Sequence, residues 1–129
     1  MAKIARIGQL QEFKQQGRKF SCLTSYDQQT AAIFDEAGVN VLLVGDSAAD
    51  NALGYATTLP ITVDEIIPFG RAVAGAVSRG LVVVDMPFGS YEESPAQAFR
   101  NAALVMKETQ CGAIKLEGGS RMAETIRFL

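Results

Sequence analysis

Three carboxylates stand at matching places in the stretches VLLVGDS, LVVVDMP and AIKLEGG: Asp46, Asp85 and Glu117. Each closes an apolar run that reads as a strand. The intervals, 46 to 85 and 85 to 117, are each about one strand-plus-helix unit long. If the three runs are adjacent parallel strands, the acids share the carboxyl-terminal edge of one sheet, where α/β proteins bind ligands. Oxygen donors in a chain with no histidine and only two cysteines, far apart, suit a hard cation, Mg²⁺ foremost. Taken singly, each acid reads as a solvated loop residue or a helix cap; the common register favours a site. Asp27 also follows a strand, but it stands where a helix N-cap belongs, and capping is its better explanation.

Lys115 interrupts the last of these strands. An ammonium is costly to bury unless something pairs with it. Alternation puts residues 115 and 117 on one face, so Lys115 points into the same cavity as Glu117, one layer down. There it can pair with Asp85 or hold the carboxylate of a bound acid. The plainer alternative is a lysine at a sheet edge, snorkelling outward. Gly118-Gly119 before Ser120 read as a tight turn in preference to an anion-binding helix start. The loop 46–60, DSAADNALGYATTLP, is long, polar and without a clear element, a kind that often serves active sites. Neither GxGxxG nor a P-loop motif is present.

The elements that must position these residues repeat four times. Strands are expected at 19–25, 39–45, around GLVVVDMP and at GAIKLEG. A helix from about Asp27 to Ala37, with Ile33, Phe34 and Ala37 on its apolar face, follows the first, and Gly38 suits a left-handed cap. Thr62 and Glu65 form a capping box for a helix running to about Ser78, its stripe Val63, Ile67, Ala74 and Val77 and its regularity challenged by Pro68. Ser94-Pro95-Ala96-Gln97 opens a third helix with Phe99, Ala102, Ala103 and Met106 on its face. Ser120 can cap a short last helix, and Ile4 to Gln16 reads as an extra amphipathic one. Apolar strands each followed by a helix imply a covered parallel sheet. Two architectures compete: an open doubly wound sheet, or part of a (β/α)₈ barrel, which needs about 250 residues when complete.

Composition narrows the partners. Of 129 residues, 48% are hydrophobic and 20% charged, the balance of one globular domain, residues 1–129. A net charge of -2 with no basic run gives no electrostatic case for nucleic acid or an acidic membrane surface. No stretch has signal-peptide or membrane-spanning character, and Cys22 and Cys111 lie far apart, so a reduced, cytoplasmic protein with a buried Cys22 thiol is expected.

The blocks LTSYD (23–27), FDEAGVNVLLVGDSAA (34–49), LGYATTLPIT (53–62), LVVVDMPFGSY (81–91) and KLEGG (115–119) resemble ketopantoate hydroxymethyltransferase, in the family's order and spacing from about residue 18. The chain is similar, more distantly, to the phosphoenolpyruvate/pyruvate-type barrel superfamily. The resemblance implies an α/β fold of the (β/α)₈ barrel type, here about four βα units with an N-terminal helix closing the bottom, in a decameric assembly. It implies hydroxymethyl transfer from 5,10-methylenetetrahydrofolate to 3-methyl-2-oxobutanoate, giving ketopantoate for pantothenate and coenzyme A synthesis. On that basis Asp46, Asp85 and Glu117 are the acids around Mg²⁺, some through water, and Ser47, Asp85 and Lys115 hold the 2-oxo acid.

The family continues for about as many residues again, and its glutamate general base and a pocket histidine lie in that further part, so no catalytic base is expected within this chain. Ala56 stands where the family commonly has aspartate, and Asp50-Asn51 where it has an apolar pair. Two other readings remain: a non-catalytic, oligomerising half-barrel remnant, and another barrel enzyme that makes or breaks a C–C bond in a 2-oxo acid.

Overall fold

A computed structural model describes residues 5–129. Four parallel strands form its sheet: β1 (Cys22–Thr24), β2 (Val41–Val44), β3 (Leu81–Asp85) and β4 (Ala113–Lys115). Their order is β1-β2-β3-β4, each strand bonded to the one before it. A doubly wound sheet reverses its order at a switch point; an unbroken sequence of neighbours is the wall of a barrel. The fold is α/β of the (β/α)₈ type, with four βα units and a helix closing the bottom.

The helices are α1 (Ile7–Gln15), α2 (Gln28–Glu36), α3 (Ala48–Asn51), α4 (Val63–Ala76), α5 (Pro95–Thr109) and α6 (Ala123–Phe128). Register puts Leu42, Val44, Val82 and Val84 on one face of the sheet, where they form the main core with Ile66, Val73, Ala98, Ala102 and Val105 of α4 and α5. The other face carries Val41 and Leu81 at its lower end, with Ala113 level with Val83, packed against Ala5 and Leu10. Ala5 N–H donates to the Arg79 carbonyl at 2.8 Å, so the N-terminal segment is fastened where β3 begins. Higher on the same face come half-buried Leu43 and Val83, then Asp85 and Lys115.

One buried acid is structural. Asp35 of α2 accepts from Ser78 N–H and Ser78 Oγ (2.9 Å each), Arg79 N–H (3.1 Å) and Gly80 N–H (2.8 Å), stapling the turn into β3. Burial alone would raise its pKa, but the bonds from Gly80, Ser78 and Arg79 outweigh that and hold it below the ordinary value.

The helix starts follow the sequence signals: Asp27 accepts from Thr30 N–H at 2.8 Å, and the Thr62–Glu65 capping box is complete. Pro68 lies inside α4 without ending it. Other expectations are corrected. The strands are shorter than their apolar runs, and β1, bonded to β2 alone, leaves Cys22 exposed rather than buried. Ile33, Ala37, Phe99 and Met106 are exposed; α2 buries Ala31 and Asp35, and α5 buries Ala98, Ala102, Val105 and Thr109. Gln97 reaches the Glu93 N–H at 3.1 Å, one residue short of a capping box. Ser120 makes no cap, lying within a 3₁₀ turn, Gly119–Met122. The loop 46–60 contains the short α3. Ile4, the expected start of the first helix, lies outside the described residues. Among those residues no helix is long and apolar enough to cross a membrane.

Candidate functional site at the carboxyl edge of the sheet

Asp85 and Lys115 end β3 and β4 and are register partners, so their side chains leave the sheet on the same face. Lys115 Nζ lies 2.7 Å from both Asp85 oxygens and 2.8 Å from Glu117 Oε1. The side chains are 36%, 5% and 69% exposed respectively for Lys115, Asp85 and Glu117, so the Asp85 arm is partly desolvated and the Glu117 arm is in water. The ammonium turns inward to Asp85, and the snorkelling alternative is set aside. Burial lowers the Lys115 pKa, but the bonds to Asp85 and Glu117 outweigh it and hold the ammonium above the ordinary lysine value. Asp85 is shifted upward, chiefly by burial, with Lys115 opposing and the neighbouring Asp46 charge adding to the rise. Lys115 lowers the Glu117 pKa.

Asp46 follows β2, half-buried and close enough for its charge to act on Asp85. Its neighbour Ser47 shares a hydrogen bond of 2.7 Å with the Tyr26 hydroxyl, which comes from the end of β1. Tyr26 stands edge-on to Phe69 at 6.3 Å, so the phenol is held by packing as well. Gly45 leaves room for this arrangement: a Cβ there would lie 2.8 Å from Ser47 Oγ and 3.9 Å from Asp85 Oδ2. The Asn51 amide donates to the Ser47 carbonyl at 2.9 Å and to Asp50 Oδ1 at 2.9 Å, so this polar pair braces the turn carrying Ser47. Ala56 is exposed and contributes no side-chain polar group.

Beyond β4 the chain turns at Gly118 (φ 119°) and Gly119 (φ 60°), a conformation that favours glycine, as the turn reading expects. Glu117 N–H donates to the hydroxyl of buried Tyr91 at 3.2 Å. A cavity of about 510 Å³ opens beside it, lined by Tyr91, Glu92, Glu117, Gly118, Arg121 and Met122. The structure thus joins Lys115, Asp85 and Glu117 directly, sets Asp46 beside Asp85, and joins Ser47 to Tyr26. Among the described residues, no three acidic or cysteine side chains converge as a ready-made ligand set for a metal ion. Tyr26 and Tyr91 are site neighbours that the sequence reading, built on charged groups, does not single out; Tyr26 lies two residues past β1, and Tyr91 lies in the loop after β3.

Known proteins place the chain in a family and a fold. The family profile of ketopantoate hydroxymethyltransferase matches residues 5–129. A 3-methyl-2-oxobutanoate hydroxymethyltransferase of Leifsonia xyli subsp. xyli is 59% identical over 125 residues, covering 97% of this chain and 45% of the relative. That of a Nocardioides species is 54% identical, covering 98% and 43%, and that of Corynebacterium efficiens 56% identical, covering 98% and 47%. The chain therefore spans less than half the length of these relatives. Among solved structures, a phosphonopyruvate hydrolase in complex with oxalate and Mg²⁺ superposes with a TM-score of 0.65 at 15% identity, over 85% of this chain and 38% of that one. A phosphoenolpyruvate phosphomutase of Streptomyces platensis subsp. rosaceus gives 0.60 at 16% identity, over 85% and 37%. At such identities these two speak for the fold, that of a barrel wall. With the family profile spanning the described residues and relatives above half identity, the chain belongs to the ketopantoate hydroxymethyltransferase family.

Proposed function

We propose that residues 1–129 form one folding unit, the N-terminal part of a barrel that carries the metal and 2-oxo-acid side of a ketopantoate hydroxymethyltransferase site. The reaction moves a hydroxymethyl group from 5,10-methylenetetrahydrofolate to 3-methyl-2-oxobutanoate, giving ketopantoate in the first step of pantothenate biosynthesis. The observation that carries this reading is the Lys115–Asp85 pair at 2.7 Å, on adjacent strand ends in a chain 59% identical to a relative so named. We place the reaction in the cytoplasm, with small molecules and further copies of the protein as partners.

The donor set fits Mg²⁺ in one form. Magnesium takes oxygen ligands, commonly one or two carboxylates with water and substrate oxygens completing the shell. Asp46 and Asp85, at neighbouring strand ends, and Glu117 would hold the ion, some of them through water, with Lys115 paired to both Asp85 and Glu117. When bound, the ion would polarise the keto oxygen and stabilise the enolate formed as the C3 proton leaves. The chain's own residues bind and orient. Lys115 sets a positive charge for the substrate carboxylate, and its pairing with Asp85 keeps that charge fixed in the absence of substrate. Ser47, braced by Tyr26, offers a hydroxyl to the same acid. The base that takes the C3 proton comes from the part of the family's barrel beyond this chain.

A test follows from that division. The purified 129-residue chain should show little or no turnover. Mixing it with the remaining part of a relative such as the Leifsonia xyli enzyme should give Mg²⁺-dependent ketopantoate formation, lost with Asp85→Ala. Robust turnover by the chain alone would contradict the reading. The bare edges of β1 and β4, with Phe20 and Leu23 each 42% exposed, favour a second one, a self-associating half-barrel without catalysis. It predicts a folded oligomer that binds neither Mg²⁺ nor the 2-oxo acid.

A further inference from the structure

Glu117 stands where the sheet no longer holds the chain. The last bond of the β3–β4 ladder runs from Met86 N–H to the Lys115 carbonyl at 3.0 Å. Two residues on, alternation turns the Glu117 N–H to the same side, but β3 has ended at Asp85 and Pro87 follows. The Tyr91 hydroxyl takes the place of a strand carbonyl, accepting that N–H at 3.2 Å. Immediately afterwards come the two positive-φ glycines, which offer little stiffness of their own. Among the described residues, the side-chain contacts that fix Glu117 are this bond to its backbone and the Lys115 bond to its carboxylate.

Tyr91 itself is firmly mounted. It is 5% exposed and packs in the main core. The loop around it is tied at several points. Asn101 Nδ2 of α5 donates to the Ser90 carbonyl at 2.6 Å, and buried Ser90 Oγ donates to the Pro87 carbonyl at 2.6 Å. Glu92 Oε2 accepts from Gly89 N–H at 2.8 Å. A firmly mounted phenol therefore meets the Glu117 backbone through one oxygen atom.

We propose that Tyr91 is a positioning residue of the site: its hydroxyl holds the Glu117 backbone so that the Glu117 carboxylate faces Lys115 and a cation bound beside Asp46 and Asp85. This rests on Glu117 belonging to the site proposed above. Tyr91 touches neither substrate nor metal in this scheme; it acts through Glu117.

Tyr91→Phe in the 129-residue chain removes that oxygen and keeps the ring in the core. Two readouts separate its role from general packing: amide hydrogen exchange of Glu117 against Lys115, and Mg²⁺ affinity by calorimetry. Loss of one hydrogen bond should speed Glu117 exchange by roughly three- to tenfold, with the Lys115 amide unchanged, and weaken Mg²⁺ binding by about the same factor. In a Glu117→Gln background Tyr91→Phe should weaken Mg²⁺ no further. Unchanged Glu117 exchange would overturn the proposal, as would an equal Mg²⁺ loss with and without the Glu117 carboxylate. If the unaltered chain binds no Mg²⁺, the metal reading falls and with it the role assigned to Glu117. The exchange result then decides alone whether Tyr91 holds the Glu117 backbone.

Discussion

At the scale of single residues, the site is built from groups whose neighbours oppose their burial. Asp85 is nearly buried and its pKa is raised, so ionising it costs the fold stability near neutral pH, and Lys115 offsets part of that cost. A carboxyl raised in the folded state contributes stability below its unfolded value of 3.8 and loses it as pH rises through the folded value. Lys115→Met removes the offset and should destabilise the chain at pH 7 by about 1–3 kcal/mol, less than for a fully buried pair because the lysine side chain is 36% exposed. The deficit should shrink as pH falls and Asp85 protonates; urea denaturation at neutral and at acidic pH reads both effects. A deficit that does not change with pH would show that packing of the lysine stem, and not charge, is at stake. These charged residues were legible in the sequence because strand alternation and similar unit lengths place them without any knowledge of side-chain contacts. Tyr26 and Tyr91 were not, because a hydroxyl reaching across from a loop leaves no periodic trace.

At the scale of elements, strand order and helix starts were readable and the buried helix faces less so. Caps are local chemistry, and Asp27, Thr62 and Ser94 all accept the N–H expected of them. The misread faces share a cause. In α5 the expected Ala102 is buried, but the larger Phe99 and Met106 are not; the helix lies close to its neighbours and buries Ala98 and Val105 beside Ala102. Close approach is visible again at Gly70 of α4, where an added Cβ would meet Thr109 Cγ2 at 2.7 Å and Val84 Cγ2 at 3.1 Å. Gly70→Ala gains about 1 kcal/mol in helix propensity, yet overpacking costs roughly 1–3 kcal/mol. We therefore expect net destabilisation of up to about 2 kcal/mol in a denaturant midpoint shift. A stabilised variant would show that α4 and α5 can separate freely. The regular ladders are shorter than the expected runs, with single backbone bonds at Ser21, Ser25 and Met86 just beyond them, and β1 and β4 are bonded on one side only.

At the scale of the whole molecule, the chain presents one wall of a barrel with its chemistry along the upper rim and α1 beneath. Leu43 and Val83 remain half-buried on the inner face, and Phe20 and Leu23 are open at the β1 edge. This pattern suits a surface that another four βα units would cover, and it matches a chain spanning 43–47% of its relatives. On the proposed function, this rim binds a metal-held 2-oxo acid. The most direct measurement is calorimetric titration of the chain with 3-methyl-2-oxobutanoate in the presence and absence of Mg²⁺, repeated with Asp85→Ala. Saturable binding that requires Mg²⁺ and disappears in the variant is the predicted result; no binding by a folded chain, or binding indifferent to Asp85, would contradict it.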